Sequence, residues 1–242
     1  MSADIVLING HVVTVDPMNP VASAVAIRAG HVVHVGSEAD ARAAAGPRAE
    51  VIDLRGRTAT PGLNDAHAHP MMVGQALLDV DITPERVGSV DGIARAVKGR
   101  INGQEPGTWI IGRGYDQARM TDQRHPTRAD LDAVSPDHPV FLYRACHHIA
   151  AVNSFALQLA GITADTRDPE GGSIDRDENG EPTGVLRESA MELVHAHIPE
   201  PTEDSIMRAL ELAGRAFLRT GVTSTVEAGI RQPKQMSAYQ RL

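Results

Sequence analysis

The pattern of apolar residues changes near residue 60, and no single regular architecture accommodates both sides of that change. Before it, short apolar runs are separated by turn residues. Asp4-Ile-Val-Leu-Ile-Asn-Gly-His-Val-Val-Thr-Val reads as a strand, a turn at Asn9-Gly10 and a second strand. Asn-Gly accepts positive φ at both central positions, so this is a strong hairpin signal. The stretch from Ala24 to Val35 repeats the layout around Gly30, and Glu50 to Leu54 adds a further strand. A short helix is predicted from Glu38 to Ala45. Residues 1–60 are therefore expected to form a module of short antiparallel strands.

From Thr58 onward, strands alternate with helices. The spacing predicts strands at Thr58 to His69, Trp109 to Gly112, Pro139 to Arg144 and Gly221 to Val226. Helices are predicted at Ser89 to Ile101, Thr127 to Val134, Asn153 to Ala160 and Thr202 to Arg219. Ser89 and Thr202 are N-cap residue types, and Gly221 stands just past the last of these helices. Asn179-Gly180 marks another hairpin. Alternation of this kind predicts an α/β domain with a parallel sheet built from βαβ units.

Composition narrows the functional classes. The chain carries 23 basic and 31 acidic residues, a net charge of −8. Phosphate contacts need a basic patch, so no nucleic-acid partner is expected. No apolar run approaches the roughly 18 residues of a membrane span, so no membrane partner is expected. The start lacks the basic region and apolar core of a signal peptide. Cys146 is the only cysteine, which rules out an internal disulfide and predicts a cytoplasmic protein.

The most informative segment is Pro61-Gly-Leu-Asn-Asp-Ala-His-Ala-His-Pro70. On an extended backbone, alternate residues share a face. Asp65, His67 and His69 would then point the same way from a strand end. Two imidazoles at that spacing can ligate one metal ion, and Asp65 could orient a ligand from behind. Two surface histidines in a loop is the alternative. His195-Ala-His197 has the same spacing but falls in a predicted helix, where residues two apart do not face each other. That copy reads as a partly solvated helix end.

Five blocks in order resemble the amidohydrolase-3 branch of the amidohydrolase superfamily. They are the strand module with Thr60 to Pro70; Trp109 to Gln117 with Pro126 to Asp132; Pro139 to Leu157; Asp168 to Gly172 with Gly180 to Glu188; and Gly221 to Ser224. The resemblance implies a metal-dependent (β/α)8 TIM-type barrel beside an antiparallel β-sandwich. Residues 1–60 would be the N-terminal half of the sandwich, and 61–242 an incomplete barrel. A whole barrel takes about 250 residues, so roughly five strands are expected here.

The same resemblance implies hydrolysis of carbon–nitrogen bonds other than peptide bonds, in amide, N-acyl or N-formyl substrates. His67 and His69 carry over as ligands to a divalent metal, zinc by preference, as one or two ions. Related enzymes often add a bridging ligand from a middle strand, such as a carboxylated lysine. The only lysines are Lys98 and Lys234, and neither follows a middle strand. Glu188 is the substitute, with the alternative that it is a first-turn acid of the next helix. Tyr115 and Asp116 follow a strand on the side where barrel sites form, and they are expected to contact substrate. His148 is either a further substrate contact or a structural hydrogen-bonder. Cys146 reads as a small buried hydrophobe, and His11, His31 and His34 as structural.

In the family, a catalytic aspartate and two further histidine ligands come from later strands. After Glu188 the only histidines are His195 and His197, so those groups are expected beyond residue 242. The competing expectation is a truncated, catalytically incomplete chain with at most weak metal binding. The remaining partner is a small-molecule amide or N-acyl compound, and a homo-oligomer is left open.

Overall fold

The computed structural model describes residues 2–242. The chain divides into two compact units, residues 1–66 with 220–225, and residues 67–219 with 226–242.

The first unit contains two small sheets. One has four strands in the order His31–Gly36, Ala24–Arg28, Ala3–Ile8, Ala45–Asp53. The other has three, Val21–Ala22, His11–Val13 and Thr58–Ala59. Val6, Ile8, Ala24, Ala26 and Ala41 form its core. Ala24–Arg28 and His31–Gly36 make the hairpin expected around Gly30. Ala29 and Gly30 both take positive φ, 47° and 77°, which closes a tight two-residue turn.

The Asn9-Gly10 turn behaves differently from its sequence signal. Ala3–Ile8 pairs antiparallel with Ala24–Arg28 and parallel with Ala45–Asp53, while His11–Val13 pairs in the other sheet. The turn therefore carries the chain from one sheet to the next. The Asn9 amide group donates to Asp53 (2.9 Å) and Gly56 N–H donates to the Asn9 carbonyl (2.7 Å). These contacts secure the turn to a distant strand rather than to a local partner. The parallel pairings also correct the expectation of a purely antiparallel module.

The second unit is mixed α/β. Its six-stranded sheet runs Gly172–Arg176, Pro182–Glu188, Ile149–Val152, Val140–Arg144, Ile110–Tyr115, Val80–Asp81. The first three junctions are antiparallel and the last two parallel. This corrects the expectation of a parallel sheet, and no closed barrel forms among the described residues. The hairpin at Asn179-Gly180 is one source of the antiparallel pairing, since a short turn between neighbouring strands, here closed by Gly180 N–H on the Asp177 carbonyl (3.0 Å), can only reverse the chain. One face of the sheet packs Ile110, Val140 and Leu142 against Ile93 and Val97 of the helix Val90–Ile101. The other packs Phe141, Val152 and Leu186 against Leu157, Met191 and Val194. Asn153 is fully buried and uses both ends of its amide group. It donates to the Ser135 and His138 carbonyls and accepts from the Val140 and Ala156 amides.

The predicted caps form. Ser89 accepts from Gly92 N–H (3.0 Å), and Thr202 accepts from Ser205 N–H (3.2 Å). Among the described residues no helix is long and apolar enough to cross a membrane.

Candidate metal centre

Among the described residues the strand Leu63–Ala68 pairs with Val222–Glu227, in a two-stranded sheet of its own. Leu63 N–H donates to the Gly221 carbonyl (2.8 Å), and Ala228 N–H donates to the Ala68 carbonyl (3.0 Å). Early residues thus meet early residues and late meet late, so the two strands run in the same direction. Their C-terminal ends come out side by side. Beyond Ala68 the chain turns at His69 into the helix Pro70–Leu78, with proline at its first position. Proline suits that position because its missing N–H has no helical partner to lose.

The junction holds the two histidines. Their ring centroids are 5.5 Å apart and the planes nearly perpendicular, at 89°. His67 is exposed and His69 half-buried. Asp65, the third member of the sequence pattern, belongs to the first unit.

The partner strand ends on Glu227, whose side chain is only 7% exposed. Its Oε1 lies 3.1 Å from His69 Nδ1 and accepts from Gly229 N–H at 3.0 Å. Its Oε2 accepts from the Tyr239 hydroxyl at 2.6 Å and from Met71 N–H at 3.3 Å. Burial alone would raise this carboxyl. The donors, led by Tyr239, outweigh burial and hold it below its ordinary value. An ionised carboxylate only accepts hydrogen bonds, so in a neutral His69 ring this contact favours the proton on Nδ1. Nε2 then carries the lone pair a metal ion requires. Burial, and then the bond to Glu227, push the Tyr239 phenol upward. Sequence reading missed Glu227 and Tyr239. The one available signal was an acid at the end of the strand that closes on Ala-Gly.

Two imidazoles at one strand end are chemically apt donors for a transition-metal ion. The set is partial. Among the described residues no three histidine, cysteine, aspartate or glutamate side chains gather closely enough to hold an ion.

The other predicted residues are placed elsewhere in the second unit. Glu188 ends the strand Pro182–Glu188 with φ of +49°, and its Oε2 is 2.8 Å from His148 Nδ1. Both side chains are exposed, and the carboxylate raises the His148 imidazole. Tyr115 is fully buried, its hydroxyl 3.1 Å from His125 Nδ1. Burial pushes its phenol upward. Asp116 accepts from Arg144 at 2.8 Å.

His195 is the last residue of its helix and His197 lies beyond it. The His195 ring stands 6.1 Å from Phe141 and 6.4 Å from Tyr143. Cys146 is half-buried. Burial alone would raise its thiol, but bonds from the Arg144 side chain and His148 N–H lower it.

A cleft of about 850 Å³ opens beside His69. Met72, Val73 and Leu77 give it an apolar wall, and Arg113 and Asp116 line it from the sheet. Arg113 is paired with Asp79, and its guanidinium lies 4.3 Å from the centre of the Tyr143 ring.

Residues 50–242 match the model of the amidohydrolase family. The chain belongs to that family. Among its relatives, an N-substituted formamide deformylase from Arthrobacter pascens is 37% identical over 98% of this chain and 44% of its own length. The protein LONG AFTER FAR-RED 3 of Arabidopsis thaliana is 35% identical over 94% of this chain and 38% of its own. A solved structure described as an uncharacterized metal-dependent hydrolase from Pyrococcus furiosus superposes with a TM-score of 0.71. It is 32% identical, and the match covers 98% of this chain and 46% of that one. The chain thus spans less than half the length of these relatives.

Proposed function

We propose that this chain contributes the first two ligands, His67 and His69, of a metal-dependent hydrolase acting on carbon–nitrogen bonds other than peptide bonds. The observation that carries this reading is the side-by-side placement of the two rings at a strand end, with Glu227 on the Nδ1 side of His69. In this reading residues 1–60 are half of a β-sandwich and residues 61–242 the opening part of a (β/α)8 barrel. The parallel run of the histidine strand beside Val222–Glu227 supports the barrel assignment.

A bound divalent ion, zinc by preference and one or two in number, supplies Lewis acidity and a nucleophilic water. The chain's own residues bind and orient. His67 and His69 supply nitrogen donors, and Glu227 fixes which nitrogen His69 offers. The apolar wall of Met72, Val73 and Leu77 takes the substituent of a neutral amide, N-acyl or N-formyl substrate. Arg113 and Asp116 are each tied to an opposite charge, so the cleft favours an uncharged ligand. Asp116, His148 and Glu188 remain candidates from sequence, as substrate contacts and, for Glu188, as a third ligand, whereas Tyr115, expected from sequence to contact substrate, is buried in the core. The single cysteine supports a cytoplasmic setting, with neither nucleic acid nor membrane as a partner.

The test is amine release from neutral N-formyl and N-acyl amines by the product of the reading frame containing this chain. Hydrolysis should vanish with a chelator and in His67→Ala/His69→Ala. Undiminished hydrolysis in that variant overturns the assignment. A second reading rests on the incomplete donor set among the described residues. It holds that residues 1–242 alone bind metal weakly and do not turn over substrate.

A further inference from the structure

Tyr239 lies 12 positions beyond Glu227 on the helix Pro233–Arg241. That helix is tied to the N-terminal turn of Glu203–Arg219, where Glu203 accepts from Ser237 (2.9 Å) and Arg241 (2.6 Å). The phenol is therefore delivered by a docked element rather than a loose tail. Four donors converge on Glu227: Tyr239 and Met71 on one oxygen, His69 and Gly229 on the other. A carboxylate has about four lone-pair sites, so its hydrogen-bonding capacity is used in full. Gly229 leaves room for the ring, since a Cβ there would lie 3.2 Å from His69 Nδ1.

We propose that Tyr239, acting through Glu227, is a positioning residue that fixes the tautomer and ring orientation of His69. The inference rests on His67 and His69 being ligands, and goes beyond that reading by assigning a task to Tyr239 on a different helix. Tyr239 restrains the carboxylate, the carboxylate holds the proton on Nδ1, and Nε2 is presented with its lone pair.

The experiment has two readouts on the purified 242-residue chain. The first is the ring tautomer of His69, read from nitrogen–proton correlations in histidine-labelled protein above the ordinary histidine pKa range. The second is affinity for cobalt(II), read from its visible absorption. Wild type should show the Nδ1–H form. Tyr239→Phe and Glu227→Gln should each mix in the Nε2–H form and weaken cobalt binding by about 10- to 100-fold, the usual cost of losing such a partner. Glu227→Asp, which keeps a carboxylate, should retain more of the Nδ1–H form than Glu227→Gln. Backbone amide spectra verify that each variant is folded. An Nε2–H tautomer in wild type, or an unchanged tautomer in either Tyr239→Phe or Glu227→Gln, overturns the proposal. Wild type with the expected tautomer but no cobalt binding contradicts the ligand reading instead, so the two failures are distinct.

Discussion

His69 Nδ1 lies 3.1 Å from Glu227 Oε1, a contact between residues 158 positions apart. It exists because two strands distant in sequence run side by side and end together. A ring and a carboxylate meet there without either belonging to a recognisable local motif.

Gly229 tests how tightly that ring is held. A Cβ at this position would come within 3.2 Å of His69 Nδ1 and 3.3 Å of Cε1. Gly229→Ala should therefore turn the ring and weaken metal binding by about tenfold. The melting temperature should not fall, since removing a glycine restricts the unfolded chain. Isothermal titration with zinc beside a thermal melt measures both effects.

Gly74 sits against backbone rather than side chain. An added Cβ would lie 1.9 Å from the Ala209 carbonyl oxygen, where the helices Pro70–Leu78 and Glu203–Arg219 pack together. Helix propensity favours alanine by about 1 kcal/mol. A backbone atom cannot swing aside, so overpacking wins, and Gly74→Ala should destabilise the protein by about 1–3 kcal/mol. At about 2–4 °C per kcal/mol for a chain of this size, the loss is readable by calorimetry.

The exposed pair of His148 and Glu188 predicts a pH response. The carboxylate at 2.8 Å raises the imidazole. A raised histidine contributes stability that is complete below the ordinary value of about 6.5 and is lost as pH rises through the folded value. In an NMR titration His148 should titrate above that ordinary value, and in Glu188→Gln it should move back down toward it. Identical titration curves in the two proteins would contradict the pairing.

Asp130 predicts the acid limb. The Arg124 guanidinium is its chief partner, with Thr127 adding two further bonds, and its carboxyl is lowered to about 2. A depressed carboxylate contributes stability present above the unfolded value, about 3.9, and lost as pH falls toward 2. Asp130→Asn should show a shallower fall in melting temperature across that window than wild type.

The parts legible in sequence were those governed by neighbours. Ser89 and Thr202 announced helix starts because a cap acts within three residues. His67 and His69 stood out because period two is visible on paper. Asn9-Gly10 signalled a turn correctly, but a turn residue does not choose the strand's partner, and Ala3–Ile8 pairs elsewhere. Tyr115 closes a strand, yet its side chain belongs to the core, and only packing decides which face of a strand is covered. Glu227 was hidden because its role arises from pairing across the whole second unit. An isolated acid at a strand end carries no mark of what it will face.

If His67 and His69 together hold a metal ion, equilibrium dialysis of the 242-residue chain against zinc, with His67→Ala/His69→Ala in parallel, will separate the two proteins. Wild type should retain zinc and the double variant should lose it, with both proteins folded by circular dichroism. Equal retention in the two proteins, or none in either, would contradict their role as ligands.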